Sequence, residues 1–301
     1  MSNTCGNLGN TGAVACPFLM KVGRRLIFVP LFDSSDDEVK IERTNLTKTY
    51  LQGKFNESNQ YDRFYPLPVM ENVTDERDEP VMFEWEGGGT VFIKENPRSF
   101  AGMIKQLTPE LIGRIKQWIG RDMGYFVIDY DGNFIGNAAS DGSTDLYPIA
   151  IDSESLYAGL IKGNYSDPLM GSVSFKTQQN VKDEDLRMVK AEDLDFDGLS
   201  KTDVYGLTEV TVSLSSASTS QAVFTLSLDQ DAPLSGIVSA DIVANNDTDD
   251  SAVTLTSLTE SAVTPGTYTA AYSTGIDAGD TLRITVSKTK LSHSYDTLVV
   301  S

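Results

Sequence analysis

The sequence predicts a mainly β protein in two domains. A β-sandwich or barrel-like domain with one packed α-helix spans residues 1–200, and an immunoglobulin-like β-sandwich spans residues 201–301. Three observations carry this. Apolar residues alternate with small polar ones through the last hundred residues, the period of a strand, and strong strand runs recur through the first two hundred. Turn residues punctuate those runs at short intervals. Composition also changes near residue 200: Ser and Thr make up 33 of the last 101 residues, and every Met, Trp and Cys lies earlier.

In the first domain strands are predicted over Arg24 to Phe32, Pro80 to Gly87, Thr90 to Glu95, Gly124 to Asp131 and Ser172 to Gln179. Asp131-Gly132-Asn133 reads as a tight hairpin turn, and Gly87-Gly88-Gly89 as a turn between two strands. One helix is well signed, with Thr108 as N-cap, Pro109 at the first position and Glu110 in the first turn. Leu111, Ile112, Ile115, Trp118 and Ile119 then recur at helical spacing, and Gly120 is the stop. A weaker helix is expected from Asp183 to Val189. Residues 45–80 show little periodicity but hold three prolines and five aromatics. They read as an extended arm or hairpin that orders against a neighbour.

The second domain holds seven alternating segments: Thr208 to Ala217, Ala222 to Asp229, Gly236 to Ala244, Ser251 to Leu258, Gly266 to Ser273, Asp280 to Ser287 and Tyr295 to Ser301. Seven short strands in about 100 residues fit an immunoglobulin-like sandwich. The cysteine and tryptophan pattern of antibody domains is missing, so only the architecture is implied.

Composition excludes several chemistries. The chain has 301 residues, 43 acidic against 24 basic, and a formal charge of −19. Residues 201–301 carry −8 of that charge and the rest −11. Such acidity opposes wrapping nucleic acid, which needs clustered Lys and Arg, but not a surface that nucleic acid slides past. A single histidine, His293, excludes triads and histidine-rich metal sites. No apolar run approaches the length of a membrane span. The opening MSNTCGNLGNTG has neither the basic nor the apolar region of a secretory signal, so Cys5 and Cys16 are expected as free thiols in a reducing compartment.

Weaker motifs favour bland readings. Asp193, Asp195, Asp197 and Gly198 match the first positions of a calcium loop, yet its twelfth position is Val204 rather than Glu. A solvated acidic linker is the expectation. Glu84 and Glu86 share a strand face, which is unremarkable among 43 acids. The glycosylation patterns at Asn45, Asn56, Asn72 and Asn164 carry no weight without a secretory signal. No enzyme, cofactor or metal site is expected.

A β-rich first domain with one amphipathic helix, a long aromatic loop and a terminal sandwich resembles the major tail tube proteins of long-tailed bacteriophages. The opening NTCGNLGNTGAVACPFLMKVGRRLIFVP and the block YFVIDYDGNFIGNAASDGSTDLYPI are similar to virion structural proteins from phages of Bacteroidetes hosts. The resemblance implies a first domain that joins its copies into a ring, a hexamer by family habit. Those rings would stack through an extended loop and terminal arms, here residues 45–80 and the segment to Cys16. It also implies a lumen lined by carboxylates that repels passing DNA, an outward-facing second domain, contacts with other tail proteins, no membrane, and a virion tail assembled in the host cytoplasm. Tyr61, Phe64, Tyr65, Glu71, Asp75 and Trp118 are the assembly candidates. Two other classes stay open: a head decoration or fibre-base protein, and a carbohydrate-binding module stacking sugars on Tyr61, Phe64 and Tyr65. A hydrolase built on paired carboxylates comes last.

Overall fold

A computed structural model describes residues 20–105, 109–138, 144–161, 170–228, 231–273 and 276–301. Cys5, Cys16, Thr108 and the Asn164 pattern lie outside the described residues. The chain is mainly β, and it divides into two compact units. Residues 1–52 and 64–204 form the first, and residues 53–63 with 205–301 form the second. Residues 53–63 therefore leave the first domain, to which the sequence assigns them. Among the described residues no helix is long and apolar enough to cross a membrane.

The first unit is built on a ten-stranded antiparallel sheet that does not close into a barrel. Its centre is β7 (Met123–Asp129), fully buried along its length. One edge of β7 pairs with β1 (Gly23–Pro30) from Asp129 to Met123. The other edge is shared by β8 (Phe134–Ala138) and the start of β10 (Ile149–Ile161). The hairpin turn expected at Asp131-Gly132-Asn133 is present. Both Asp131 and Asn133 donate their backbone N–H to Asp129 Oδ1 at 2.9 Å, and Gly132 takes φ +86°. Beyond β8 lies β12 (Leu186–Val189), with β9 (Leu146–Tyr147) at its end and β2 (Tyr65–Pro66) beside β1. Where a second helix was expected, the chain makes a single turn at Asp183–Asp185 and then becomes β12. Pairing with β8 overrides the weak helical pattern there.

Strand β10 belongs to both halves of the sheet. After Asp152 its register shifts across residues 153–156, and it continues along β11 (Met170–Thr177). β11 pairs with β6 (Arg98–Lys105), and β6 with β3 (Met70–Arg77). The two halves enclose one core. Leu26 and Phe28 of β1 and Tyr125 and Val127 of β7 meet Phe100, Ile104, Val173 and Phe175. Phe175 stacks on Phe100 at 5.1 Å and takes the ring edges of Tyr125 at 4.9 Å and Phe28 at 5.6 Å. Helix α2 (Pro109–Lys116) adds Ile112 and Ile115 to this core, as its spacing predicts.

The other faces of β1 and β7 are also covered. Phe126 meets Phe64 and Phe134, and Gly198 lies so close to Ile128 that a Cβ there would sit 2.7 Å from Ile128 Cγ2. Arg25 projects from β1 into this second layer. Its guanidinium donates to the carbonyls of Leu67, Gly198 and Ser200 at 2.9–3.1 Å. Burial lowers its pKa to about 10, with the Asp197 charge opposing, so it stays protonated at neutral pH. Residues 45–80 are therefore no free arm. They hold α1 (Lys48–Phe55), anchored by Leu51 and Phe55 one helical turn apart, then β2 and β3.

The second unit is a sandwich of two four-stranded antiparallel sheets. One contains β13 (Thr211–Ala217), β14 (Gln221–Ser227), β18 (Thr267–Tyr272) and β17 (Leu255–Glu260); the other contains β16 (Ser251–Val253), β15 (Ile242–Asn246), β19 (Thr281–Val286) and β20 (Tyr295–Val299). The single strand expected from Ser251 to Leu258 divides at Thr254. β16 pairs in one sheet and β17 in the other. Phe224 stacks on Tyr268 at 5.8 Å in the enclosed core, and the Tyr268 hydroxyl donates to Leu234 O at 2.8 Å. Within this unit Asn56 Nδ2 donates to the Tyr205 hydroxyl at 2.8 Å, and Lys290 N donates to Asn56 Oδ1 at 3.1 Å.

Glu260 ties two turns of the sandwich. The Ser235 hydroxyl and the backbone N–H groups of Gly266 and Gly236 donate to its carboxylate, which holds its pKa at about 2 against an ordinary 4.5. A depressed folded-state pKa adds stability above the unfolded value that is lost as pH falls toward the folded one. Glu260→Gln should therefore flatten the loss of stability of this unit between about pH 4.5 and pH 2, read as the urea midpoint across a pH series. An unchanged pH profile would remove this role from Glu260.

Candidate functional site: a projecting apolar hairpin

Strands β3 and β6 are two arms of one hairpin, and their ladder ends at the pair Arg77 and Arg98. Pro80 and Pro97 follow on the two arms. Proline has no N–H to give a ladder, so pairing is interrupted at these positions. It resumes as a separate two-stranded sheet, β4 (Val81–Glu84) with β5 (Thr90–Lys94), which joins no other strand. The arms close through the turn predicted at Gly87-Gly88-Gly89. Trp85 N donates to Gly89 O at 2.8 Å, and Gly88 takes φ +85°, the left-handed conformation that glycine adopts without strain. Four to five extended residues carry the tip roughly 15 Å beyond the ladder break.

The root of the hairpin is clamped. Arg77 donates to Asn96 O at 2.8 Å and Val181 O at 3.0 Å, and it pairs with Glu95 and Asp183. Arg98 pairs with Asp75 and with Asp183. Asn96 donates to Glu79 O, and Gln179 to Glu95 O. Burial raises the Asp183 pKa, but the Arg77 hydrogen bond and both guanidinium charges outweigh it, so the carboxyl is held below its ordinary range. Charges shared among two arginines and three carboxylates fix the direction in which the hairpin leaves the sheet.

The projecting part is apolar on both sides. Phe83 lies opposite Val91, and Met82 opposite Phe92. By strand alternation Trp85 shares the Phe83 face, while Ile93 lies at the register shift between Val81 and Met82. All six of these side chains are exposed, with Trp85 60%, Ile93 55% and Phe92 54% accessible, and Phe83 meets Trp85 edge to face at 5.1 Å. Runs of apolar residues on both faces are the mark of strands buried on both faces. Here the described residues bury neither. A contiguous exposed patch of this kind marks an interaction surface.

The residues singled out from sequence fall elsewhere. Trp118 is buried against Phe28 and Tyr65, each at 5.2 Å, just past the end of α2. Phe64 is buried against Phe126. Asp75 belongs to the ion cluster at the hairpin root, and Glu71 pairs with Lys105 across β3 and β6. Tyr61 alone among the aromatics of residues 59–65 is strongly exposed. An exposed sugar-stacking trio of Tyr61, Phe64 and Tyr65 is thus not assembled, because the core claims Phe64 and packing against Trp118 claims a ring face of Tyr65. The exposed apolar side chains that sequence reading did not single out are Met82, Phe83, Trp85, Val91, Phe92 and Ile93. The signal was available: apolar residues at consecutive positions within β4 and β5, bounded by Pro80 and Pro97.

Register also settles which carboxylates share the open face of β10, β11, β6 and β3. One row across that face reads Asp152, Lys176, Ser99, Glu76; the next reads Tyr157, Ser174, Ala101, Thr74; a third reads Gly159, Ser172, Met103, Glu71. Those rows hold three acids, Asp152, Glu76 and Glu71, against Lys176, and Glu71 also pairs with Lys105. The run from Asp193 to Asp197 straps the second layer. Asp195 accepts from Lys48 N at 2.7 Å, Asp197 from Leu199 N at 2.9 Å, and Gly198 seats on Ile128. Among the described residues no group of three or more His, Cys, Asp or Glu is placed to hold a metal ion.

Comparison of the chain with protein-family models, curated proteins and solved structures finds no match in any of the three.

Trp85 and Trp118 should separate surface from core. Trp118→Ala should cost about 3–5 kcal/mol, whereas Trp85→Ser at low protein concentration should stay within about 0.5 kcal/mol of wild type. Chemical denaturation of both variants measures this. Equal losses would mean that the hairpin is packed.

Proposed function

We propose that the chain is a self-assembling structural protein of a virion, whose copies form stacked rings of a bacteriophage tail tube through which DNA passes. One observation carries the reading: the hairpin over residues 81–94 presents apolar side chains on both faces, and none of the described residues covers them. Burying the rest of each such side chain would contribute on the order of 1 kcal/mol, and six together suit a permanent interface. A rigid root supports this use, since an arm held by Arg77 and Arg98 loses little freedom on docking.

The mainly β architecture and the resemblance of the N-terminal and central blocks to virion structural proteins support the same reading. Formation of a ring would pair sheet edges between copies rather than leave them to pair at random. The charge of −19 favours a conduit that DNA crosses without adhesion. The second unit serves in this reading as an outer decoration.

Negative-stain microscopy of the purified full-length chain tests the proposal. Rings or tubes are expected. The double substitution Phe83→Ser with Phe92→Ser should leave the far-ultraviolet circular dichroism unchanged and abolish those particles. A wild-type chain that stays monomeric at all accessible concentrations overturns the reading, and so does monomeric attachment to capsids.

A further inference from the structure

The outer face of β15, β19 and β20 in the second unit sets one exposed aromatic ring beside a fixed guanidinium. Register places Tyr295 opposite Thr285, and Arg283 between Asn245 and Thr297. The Tyr295 side chain is 61% exposed. The Arg283 guanidinium carbon lies 5.7 Å from the centroid of its ring. Arg283 Nε pairs with Asp247 Oδ1 at 3.2 Å. The Asn245 amide, oriented to donate to Ala244 O at 2.8 Å, accepts from Arg283 Nη2 at 3.1 Å. Three neighbours thus hold the planar guanidinium in place, so it loses little freedom when it donates to a further acceptor.

The chemistry of this face narrows what it can take. Its charged groups, Arg283 and Asp247, are already paired, and residues 201–301 carry a net charge of −8. Anions are therefore disfavoured. A protein partner is disfavoured as well. Exposed Val243 and Val299 stand apart from Tyr295, roughly 10 Å away across two strand spacings and about 13 Å away along β20. Hydroxyl, amide and guanidinium groups lie between them, so the face lacks the continuous apolar centre of a protein interface. A neutral ligand with one apolar face and several hydroxyls fits what remains. Arg283 only donates, Asp247 only accepts, and Asn245 and Thr297 do both. Sugar hydroxyls, which also do both, can meet all four.

We propose that this face binds a neutral pyranose sugar. The C–H face of the sugar stacks on the Tyr295 ring, and its hydroxyls bond to Arg283, Asn245 and Asp247. The assignment goes beyond the assembly reading and does not depend on it. One sugar ring on an open face binds weakly, and copies repeated in an assembly would multiply that affinity.

Saturation-transfer NMR on the full chain tests the proposal. The neutral probes are the methyl glycosides of glucose, galactose, mannose and N-acetylglucosamine; the anionic probes are glucuronate and inorganic phosphate. At least one neutral glycoside should take saturation, most strongly at its ring C–H protons. Tyr295→Ala should abolish that transfer, and Tyr295→Phe should keep it. Arg283→Lys should weaken the affinity about tenfold, the worth of one hydrogen bond to a charged group. An unchanged denaturation midpoint verifies the fold of each variant. No transfer to any neutral glycoside overturns the proposal, and so does transfer that survives Tyr295→Ala. Binding of glucuronate or phosphate in preference to every neutral glycoside overturns it in favour of an anion site. A change in sedimentation caused by Tyr295→Ala alone overturns it in favour of a protein contact.

Discussion

A strand that is apolar on both faces must be covered twice, and most of the first unit follows from how that requirement is met. β1 and β7 are such strands. One face of each turns to the aromatic cluster around Phe175, which brings the two halves of the sheet together. The other face is covered by Phe64 and the segment through Gly198, fastened by the buried guanidinium of Arg25, with Phe134 of the neighbouring β8 beside Phe126. β4 and β5 have the same two-sided pattern without either cover. One sequence rule is thus satisfied inside the chain in one place and left unmet by the described residues in the other.

The electrostatics of the hairpin serve geometry more than stability. Exposed ion pairs contribute about 0–1 kcal/mol, and the Glu95 and Asp183 partners of Arg77 are half exposed. What the cluster gains is number. Arg77 and Arg98 together reach β3, β6, the end of β5 and the turn before β12, so a swing of the arm would break several bonds at once. Apolar contact supplies the affinity of such an arm, while its clamped root supplies direction.

Much of the second unit was legible in its sequence because its strands alternate cleanly between a buried and a wet face. Phe224, Leu226, Leu282 and Ile284 all fall on the period-two positions that reach the core. The exchange of sheets at Thr254 was not legible, since nothing in the local pattern of Ser251 to Glu260 distinguishes one long strand from two short ones. In the first unit the failures have identifiable causes. β3 is interrupted by a register shift between Glu71 and Thr74, with Asn72 at φ +50°, and β10 by a shift after Asp152; both shifts break the alternation that reveals a strand. α1 offers only Leu51 and Phe55 as a stripe, too short to read. The sequence reading chose aromatics for their type rather than their neighbours, and so passed over the hairpin. Trp118 and Trp85 look alike as letters, but Trp118 sits in a helical stripe with one face to bury, whereas Trp85 extends a run that has two.

The crossing of the chain at Thr254 has a mechanical consequence. Three residues of β16 are hydrogen-bonded into one layer and six of β17 into the other, with a single residue between them. Neither layer can be peeled away without dragging a strand out of its opposite. Force applied to either sheet is passed through one covalent link to both, so the sandwich yields as a unit.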